Sequence, residues 1–172
     1  TAVTLIAVSK TFDVDVIRHV IACGQSVFGE NRWQEAEDKM AQLPGNLEWH
    51  FIGQLQRNKV RRVLPAVKMI HSVDSLRLAQ YISRVALELN IEAHVLLQMN
   101  LAAENTKAGF SEHELMNQWR DLFNCPAVHV MGLMTVPPPA IDPELSRPWF
   151  SKLRQLRACL LYTSDAADEE DS

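Results

Sequence analysis

The chain has 172 residues, of which 47% are hydrophobic and 22% charged, values that are ordinary for a globular domain. Its net charge of −4 comes from the C-terminal end: five of the 21 acidic residues lie in 162–172, leaving 16 acidic against 17 basic residues elsewhere. This balance favours neither nucleic acid nor a membrane surface as a partner, and no apolar run approaches the roughly 20 residues that cross a bilayer. Three cysteines without a CxxC pair predict a cytoplasmic protein with neither a disulfide framework nor a metal site.

Apolar runs of strand length alternate with segments of helical periodicity along the chain. The expected strands cover 3–10, 27–31, 48–52, 67–71, 93–99 and 128–134. The expected helices cover 13–23, 32–43, 58–64, 75–89, 111–123 and 145–160. Gly24 is placed to end the first helix, and Pro148 fits the sixth helix only in its first turn.

This alternation predicts an α/β fold with parallel strands and helical crossovers. Two architectures fit, a doubly wound sheet and a (β/α)8 TIM-type barrel that is incomplete, with about six βα units. The absence of a glycine-rich fingerprint after the first strand favours the barrel. We expect residues 1–160 to form a partial barrel and residues 161–172 to be a disordered acidic tail of foreign origin.

The first apolar run ends on Lys10, the only one of the six lysines that directly ends an apolar strand. A continuous apolar run is typical of a strand buried on both faces, and the carboxyl ends of such strands carry the ligand sites of both architectures. Partial burial disfavours the ammonium form of a lysine and frees its lone pair for Schiff-base chemistry. The alternative is a strand-end lysine whose head lies in water.

Seven motifs follow one another along residues 1–160. In chain order they are Leu5-Ile6-Ala7-Val8-Ser9-Lys10-Thr11, Phe28-Gly29-Glu30-Asn31, Trp49-His50-Phe51-Ile52-Gly53, His71-Ser72-Val73-Asp74-Ser75, Leu97-Gln98-Met99-Asn100, Lys107-Ala108-Gly109-Phe110 and Gly132-Leu133-Met134-Thr135. This ordered series resembles the YggS-type pyridoxal-phosphate homeostasis proteins.

The resemblance implies an alanine-racemase-like, fold type III barrel that holds pyridoxal 5′-phosphate as an aldimine on Lys10. It also implies a cytoplasmic monomer or weak dimer that buffers this cofactor without established turnover and delivers it to pyridoxal-phosphate-dependent apo-enzymes. Proteins of this family carry an N-terminal helix and two further βα units, which include a phosphate-binding cradle. We therefore expect a chain truncated at both ends that binds the cofactor weakly.

Three further matching residues are candidates for contacts with the cofactor. Asn31 and His71 follow the second and fourth strands, where they can reach the ring or its 3-hydroxyl; the alternatives are a helix cap for Asn31 and a satisfied loop histidine for His71. Met134 can pack on the ring or be ordinary core. His50 alternates with Trp49 and Phe51, and we interpret it as structural.

Two further lysine-containing segments are candidate sites, and two other functions fit the same fold class. The basic cluster of Lys59, Arg61 and Arg62 can receive a phosphate, but a solvated helix face is the simpler interpretation, and Lys107 is a candidate secondary amine. The alternative function is a pyridoxal-phosphate-dependent racemase or decarboxylase of the same fold, which needs a second acid/base beside the ring. A Schiff-base aldolase barrel without the cofactor is a third possibility.

Overall fold

A computed structural model of the chain describes residues 3–102 and 108–170, with side chains as far as residue 161. The strands are β1 (Ala7–Val8), β2 (Val27–Glu30), β3 (Glu48–Phe51), β4 (Met69–Val73), β5 (Ala93–Met99) and β6 (Val128–Thr135). The helices are α1 (Val14–Ala22), α2 (Trp33–Met40), α3 (Val60–Val63), α4 (Leu76–Leu89), α5 (Glu112–Phe123) and α6 (Arg147–Glu170). A capping box starts α5, where Ser111 and Glu114 bond each other's backbone N–H groups.

All strands belong to one parallel sheet whose spatial order is β1-β2-β3-β4-β5-β6. A doubly wound sheet reverses its strand order at a switch point, whereas a (β/α) barrel adds each strand beside the last one. The uninterrupted order therefore confirms the partial barrel. Within the described residues, β1 and β6 each have a strand neighbour on one side only.

One face of the sheet packs against the helices and forms the main hydrophobic core. Alternate residues along the strands point to this face because the side-chain period of a strand is two. Strand and helix residues that are fully or almost fully buried there are Phe51, Ile70, Val95, Leu97, Ile82, Ala86, Leu115 and Leu122. A second cluster beneath α1 contains Ile17, Phe28, Leu43 and Trp49.

The prediction that the first strand is buried on both faces is wrong. Regular pairing in β1 is confined to Ala7 and Val8. Val3 is 97% exposed, Leu5 74% and Val8 45%. The physical reason is topological: within the described residues β1 pairs only with β2, through Ala7 and Val8, so Val3 and Leu5 lie before the paired part of the strand and the other edge of β1 has no neighbouring strand.

The last helix begins and ends later than the periodicity predicts. A 3-10 turn, Pro143–Ser146, precedes α6, so Pro148 lies in the first helical turn, where its missing N–H costs no hydrogen bond. At the other end, α6 continues past Leu160 to Glu170, into the segment for which we expected disorder. No glycine or proline follows Leu160 to stop the helix, and alanine and glutamate favour helical backbone.

None of the helices in the described part of the chain has the length and apolar character needed to span a bilayer.

Candidate functional site

Lys10 lies at the carboxyl end of β1, where the chain turns away from the sheet. Its strand-end position is confirmed by the hydrogen bond from Ser9 N to Gly29 O, 3.0 Å long, which continues the ladder with β2. Thr11 has a φ of 67°, which marks the turn. Lys10 is exposed rather than partly buried, because the edge strand that carries it is uncovered. Within the described residues its amine has no hydrogen-bond or ion-pair partner.

The backbone just before Lys10 is held by a buried ionic cluster that the sequence reasoning missed. Lys39 Nζ donates to Ser9 O at 2.7 Å and to Glu30 Oε1 at 2.6 Å. Ser9 Oγ donates to the same carboxylate oxygen at 2.8 Å. Ser9 is 4% exposed, Glu30 1% and Lys39 7%. Thus the residue that precedes the free amine is fixed through its amide, its carbonyl and its hydroxyl.

A sequence signal for this cluster exists in α2. Trp33 and Ala36 are buried on the face of α2 that packs on the sheet, and Lys39 follows at the next i+3 position. A lysine in a core-facing position requires a buried acidic partner. Glu30, at the end of the adjacent strand, is that partner.

Asn31 directly follows β2 and therefore lies, like Lys10, at the carboxyl ends of the strands. The first helical residues of α2 are preceded by Arg32, which makes no side-chain capping bond, so Asn31 is not a helix cap. The backbone of Asn31 lies tightly against Gly53: a Cβ on Gly53 would be 2.1 Å from the Asn31 carbonyl oxygen. On the other side, Ser72 Oγ donates to the Gly53 carbonyl. The exits of β2, β3 and β4 are therefore linked.

Replacing Gly53 by alanine tests this close backbone approach. Because the clashing atom is backbone rather than a flexible side chain, we expect Gly53→Ala to destabilise the fold by about 2–3 kcal/mol or more. Gly45→Ala is the matched control, since a Cβ there meets no atom within 4 Å. Urea unfolding of the two variants measures the difference, and equal stabilities would show that the Asn31–Gly53 contact is dispensable.

His71 lies within β4 rather than after it, because β4 extends to Val73. His50 Nδ1 and His71 Nε2 are 2.7 Å apart, and His50 Nε2 is 2.9 Å from Glu48 Oε1. Neighbours of both histidines, Phe51 and Ile70, belong to the helix-side core, so the imidazoles occupy the opposite face of the sheet. Burial, and secondarily repulsion from His50 when that ring is protonated, lower the pKa of His71 to about 4.

This lowered pKa predicts a loss of stability in mild acid. Between pH 6.5 and about 4 the unfolded chain binds a proton at His71 that the folded chain does not, so the free energy of unfolding falls as the pH falls through this window. After a discount for partial solvent exposure, we expect a loss of roughly 1–2 kcal/mol. His71→Gln should flatten this dependence in urea unfolding at pH 7 and pH 4.5. His19→Gln, at an exposed histidine, should leave it unchanged.

Met134 and a second group of polar residues lie at the carboxyl ends of β5 and β6. Met134 is half-buried on β6 and pairs in register with Gln98 of β5, so both of its interpretations stay open. A cleft beside these strand ends is lined by Gln98, Asn100, Leu101, Thr135, Val136 and Trp149. Trp149 belongs to α6, so the pattern of the strands could not predict that it lines this cleft.

Two of the three residues of the basic cluster after β3, Arg61 and Arg62, are paired with acidic residues. Arg62 Nη2 donates to both carboxylate oxygens of Glu37, at 2.7 and 2.8 Å, and Arg61 pairs with Glu88. These pairs support the interpretation of a solvated helix face. Lys107, the candidate secondary amine, lies outside the described residues.

Comparison with known proteins agrees with the fold and with the motif series. The family model described as "Alanine racemase, N-terminal domain" matches residues 1–169. An alanine racemase of Clostridium difficile superposes with a TM-score of 0.72 at 15% identity over 93% of this chain and 44% of the racemase, a likeness of fold alone.

Nearer relatives are named pyridoxal phosphate homeostasis proteins. The one from Aquifex aeolicus is 44% identical over 154 residues, which cover 89% of this chain and 68% of the relative. That from Pseudomonas aeruginosa is 36% identical over 155 residues, or 90% of this chain and 67% of the relative. PipY of Synechococcus elongatus, solved without PLP and with PLP bound, superposes at TM-scores of 0.87 and 0.86 with 37% identity, over 94% of this chain and 76% of PipY. The chain belongs to the family of pyridoxal phosphate homeostasis proteins.

Proposed function

We propose that this protein binds pyridoxal 5′-phosphate through Lys10 and takes part in the homeostasis of that cofactor. One observation carries the proposal: an exposed amine without a partner in the described residues lies at the carboxyl end of an anchored strand. The names of the relatives and the PLP-bound form of PipY support the choice of ligand.

The residues at this edge of the sheet fit such a ligand. Pyridoxal phosphate supplies an aldehyde that condenses with an unprotonated amine, next to an aromatic ring with a hydroxyl group. Lys10 offers the amine, and no carboxylate among the described residues forms an ion pair with it. His71 offers an imidazole that is neutral at pH 7, since its pKa is about 4.

Each side chain has a proposed role. Ser9, Glu30 and Lys39 hold the end of β1, so that only the Lys10 side chain is left to move. We assign Asn31 and His71 to polar contacts with the ligand and Met134 to apolar contact with its ring. We also propose a cytoplasmic location, a monomer or weak dimer, and pyridoxal-phosphate-dependent apo-enzymes as recipients.

The test combines binding with a search for turnover. The purified chain is titrated with pyridoxal phosphate, and its absorbance above 400 nm is recorded at each concentration. It is then incubated with L- and D-alanine in deuterium oxide. We expect a saturable cofactor absorbance and no exchange of the α-proton. The absence of a saturable signal would overturn the binding proposal, and α-proton exchange would favour a racemase-type enzyme instead.

A further inference from the structure

Glu48, His50 and His71 form a continuous polar chain on the sheet face opposite the helices. The two imidazoles approach edge-on, with ring centroids 5.0 Å apart and planes at 74°. His50 is 6% exposed, while Glu48 lies at the start of β3 with its side chain 44% exposed. The chain therefore runs from solvent to a half-buried His71. Burying the polar atoms of two histidines on this face costs free energy, because these atoms lose their hydrogen bonds to water.

The hydrogen bonds determine which ring nitrogen of each neutral histidine carries the proton. A carboxylate only accepts, so the 2.9 Å contact with Glu48 requires a proton on His50 Nε2. At a pH at which both imidazoles are neutral, His50 has a bare Nδ1, which accepts from His71 Nε2–H across 2.7 Å. Neutral His71 is thereby left with a bare Nδ1.

This bare nitrogen is available to a ligand. Within the described residues His71 makes no hydrogen bond besides the one to His50. The pKa of about 4 keeps the ring uncharged at neutral pH, which supports the assignment. An unprotonated imidazole nitrogen accepts a hydrogen bond or a proton from a hydroxyl group.

We propose that Glu48 and His50 are positioning residues that fix His71 in the tautomer with a bare Nδ1, so that His71 accepts a proton or hydrogen bond from a hydroxyl-bearing ligand at this face of the sheet. This inference rests on the proposed function for the identity of the ligand, pyridoxal phosphate. The tautomer itself is a property of the chain alone. The proposal adds to the site two residues, Glu48 and His50, that act through His71 without touching the ligand.

The first experiment reads the tautomer without any ligand. Long-range ¹H–¹⁵N correlation spectra of the complete chain at pH 7.5 distinguish protonated from bare ring nitrogens. We expect a protonated Nε2 and a bare Nδ1 for both histidines. In Glu48→Gln, whose amide can also donate, the preference should weaken. Glu92→Gln is the matched control: Glu92 binds the exposed His129, which stacks on His94, so the central pair should not change. A protonated Nδ1 on His71 in the parent chain would overturn the proposal.

The second experiment asks whether His50 acts through His71. We expect His50→Leu and His71→Phe each to weaken pyridoxal phosphate binding roughly tenfold, the effect of one hydrogen bond. The double variant should lose no more than either single one, because residues that act through one bond are not additive. His50→Asn, whose amide oxygen can accept from His71 Nε2–H, should recover most of the affinity. Additive losses, or no recovery in the asparagine variant, would contradict the positioning role. If the tautomer is found but no variant or parent binds the cofactor, the proposed function fails instead.

Discussion

Lys10→Arg is expected to lower the apparent affinity for pyridoxal phosphate by at least about 100-fold, or ~2.7 kcal/mol. Arginine keeps the positive charge and the length of the side chain, but its guanidinium is not deprotonated in proteins and is no nucleophile. Lys10 is exposed and has no partner in the described residues, so the substitution should leave folding intact. The measurement is an absorbance titration with the cofactor, accompanied by circular dichroism.

Lys68→Arg is the matched control for this prediction. Lys68 is also exposed and also adjoins a strand, but it lies before β4 rather than at a carboxyl end. Its backbone N–H donates to Trp49 O at 2.7 Å, a bond that arginine retains. We expect the affinity of Lys68→Arg for pyridoxal phosphate to equal that of the parent chain. Similar losses in the two variants would mean that general charge, rather than the Lys10 amine, attracts the ligand.

Lys39→Met is expected to destabilise the fold by about 3–5 kcal/mol, the range for removing one partner of a buried ion pair. The substitution leaves the carboxylate of Glu30, which is 1% exposed, with Ser9 Oγ as its remaining hydrogen-bond donor. It also removes the hydrogen bond to Ser9 O, which holds the residue before Lys10. Since small domains are stable by only about 5–15 kcal/mol, this is a large fraction of the total. Urea unfolding gives the value directly.

Two variants separate the buried pair from ordinary surface charge. Glu30→Gln combined with Lys39→Met removes the uncompensated charge and should recover most of the lost stability. Arg62→Met breaks an exposed pair with Glu37 and should cost less than about 1 kcal/mol. If Lys39→Met proved as mild as Arg62→Met, the cluster would not be the anchor of the Lys10 strand.

The strand exits were predictable because apolar runs and polar stops are local features of the sequence. The apolar runs placed Lys10 and Asn31 at the carboxyl ends of neighbouring parallel strands. The strand order confirms the connectivity of a barrel. The exposure of β1 was not predictable from its own residues. An apolar run predicts burial only when the sheet continues on both sides, and within the described part of the chain β1 pairs only with β2.

The residues behind the site required three-dimensional information. Glu30 and Lys39 are nine positions apart, and only the path from β2 into α2 brings their charges to 2.6 Å. His50 was predicted to be structural, and its alternation with Trp49 and Phe51 agrees with its position on the other face of the sheet. Its bond to His71 depends on the β3–β4 register, in which His50 pairs with Met69, two residues before His71. No periodicity in a single segment encodes such a register.

The most direct measurement is to map the residue that pyridoxal phosphate modifies. The chain is incubated with the cofactor, reduced with borohydride, digested, and analysed by tandem mass spectrometry. We predict that the reduced cofactor is found on Lys10 at close to one per chain, with only traces on the other lysines. Modification spread over several exposed lysines, or concentrated on a lysine other than Lys10, would contradict the proposal that the end of β1 presents the cofactor-binding amine.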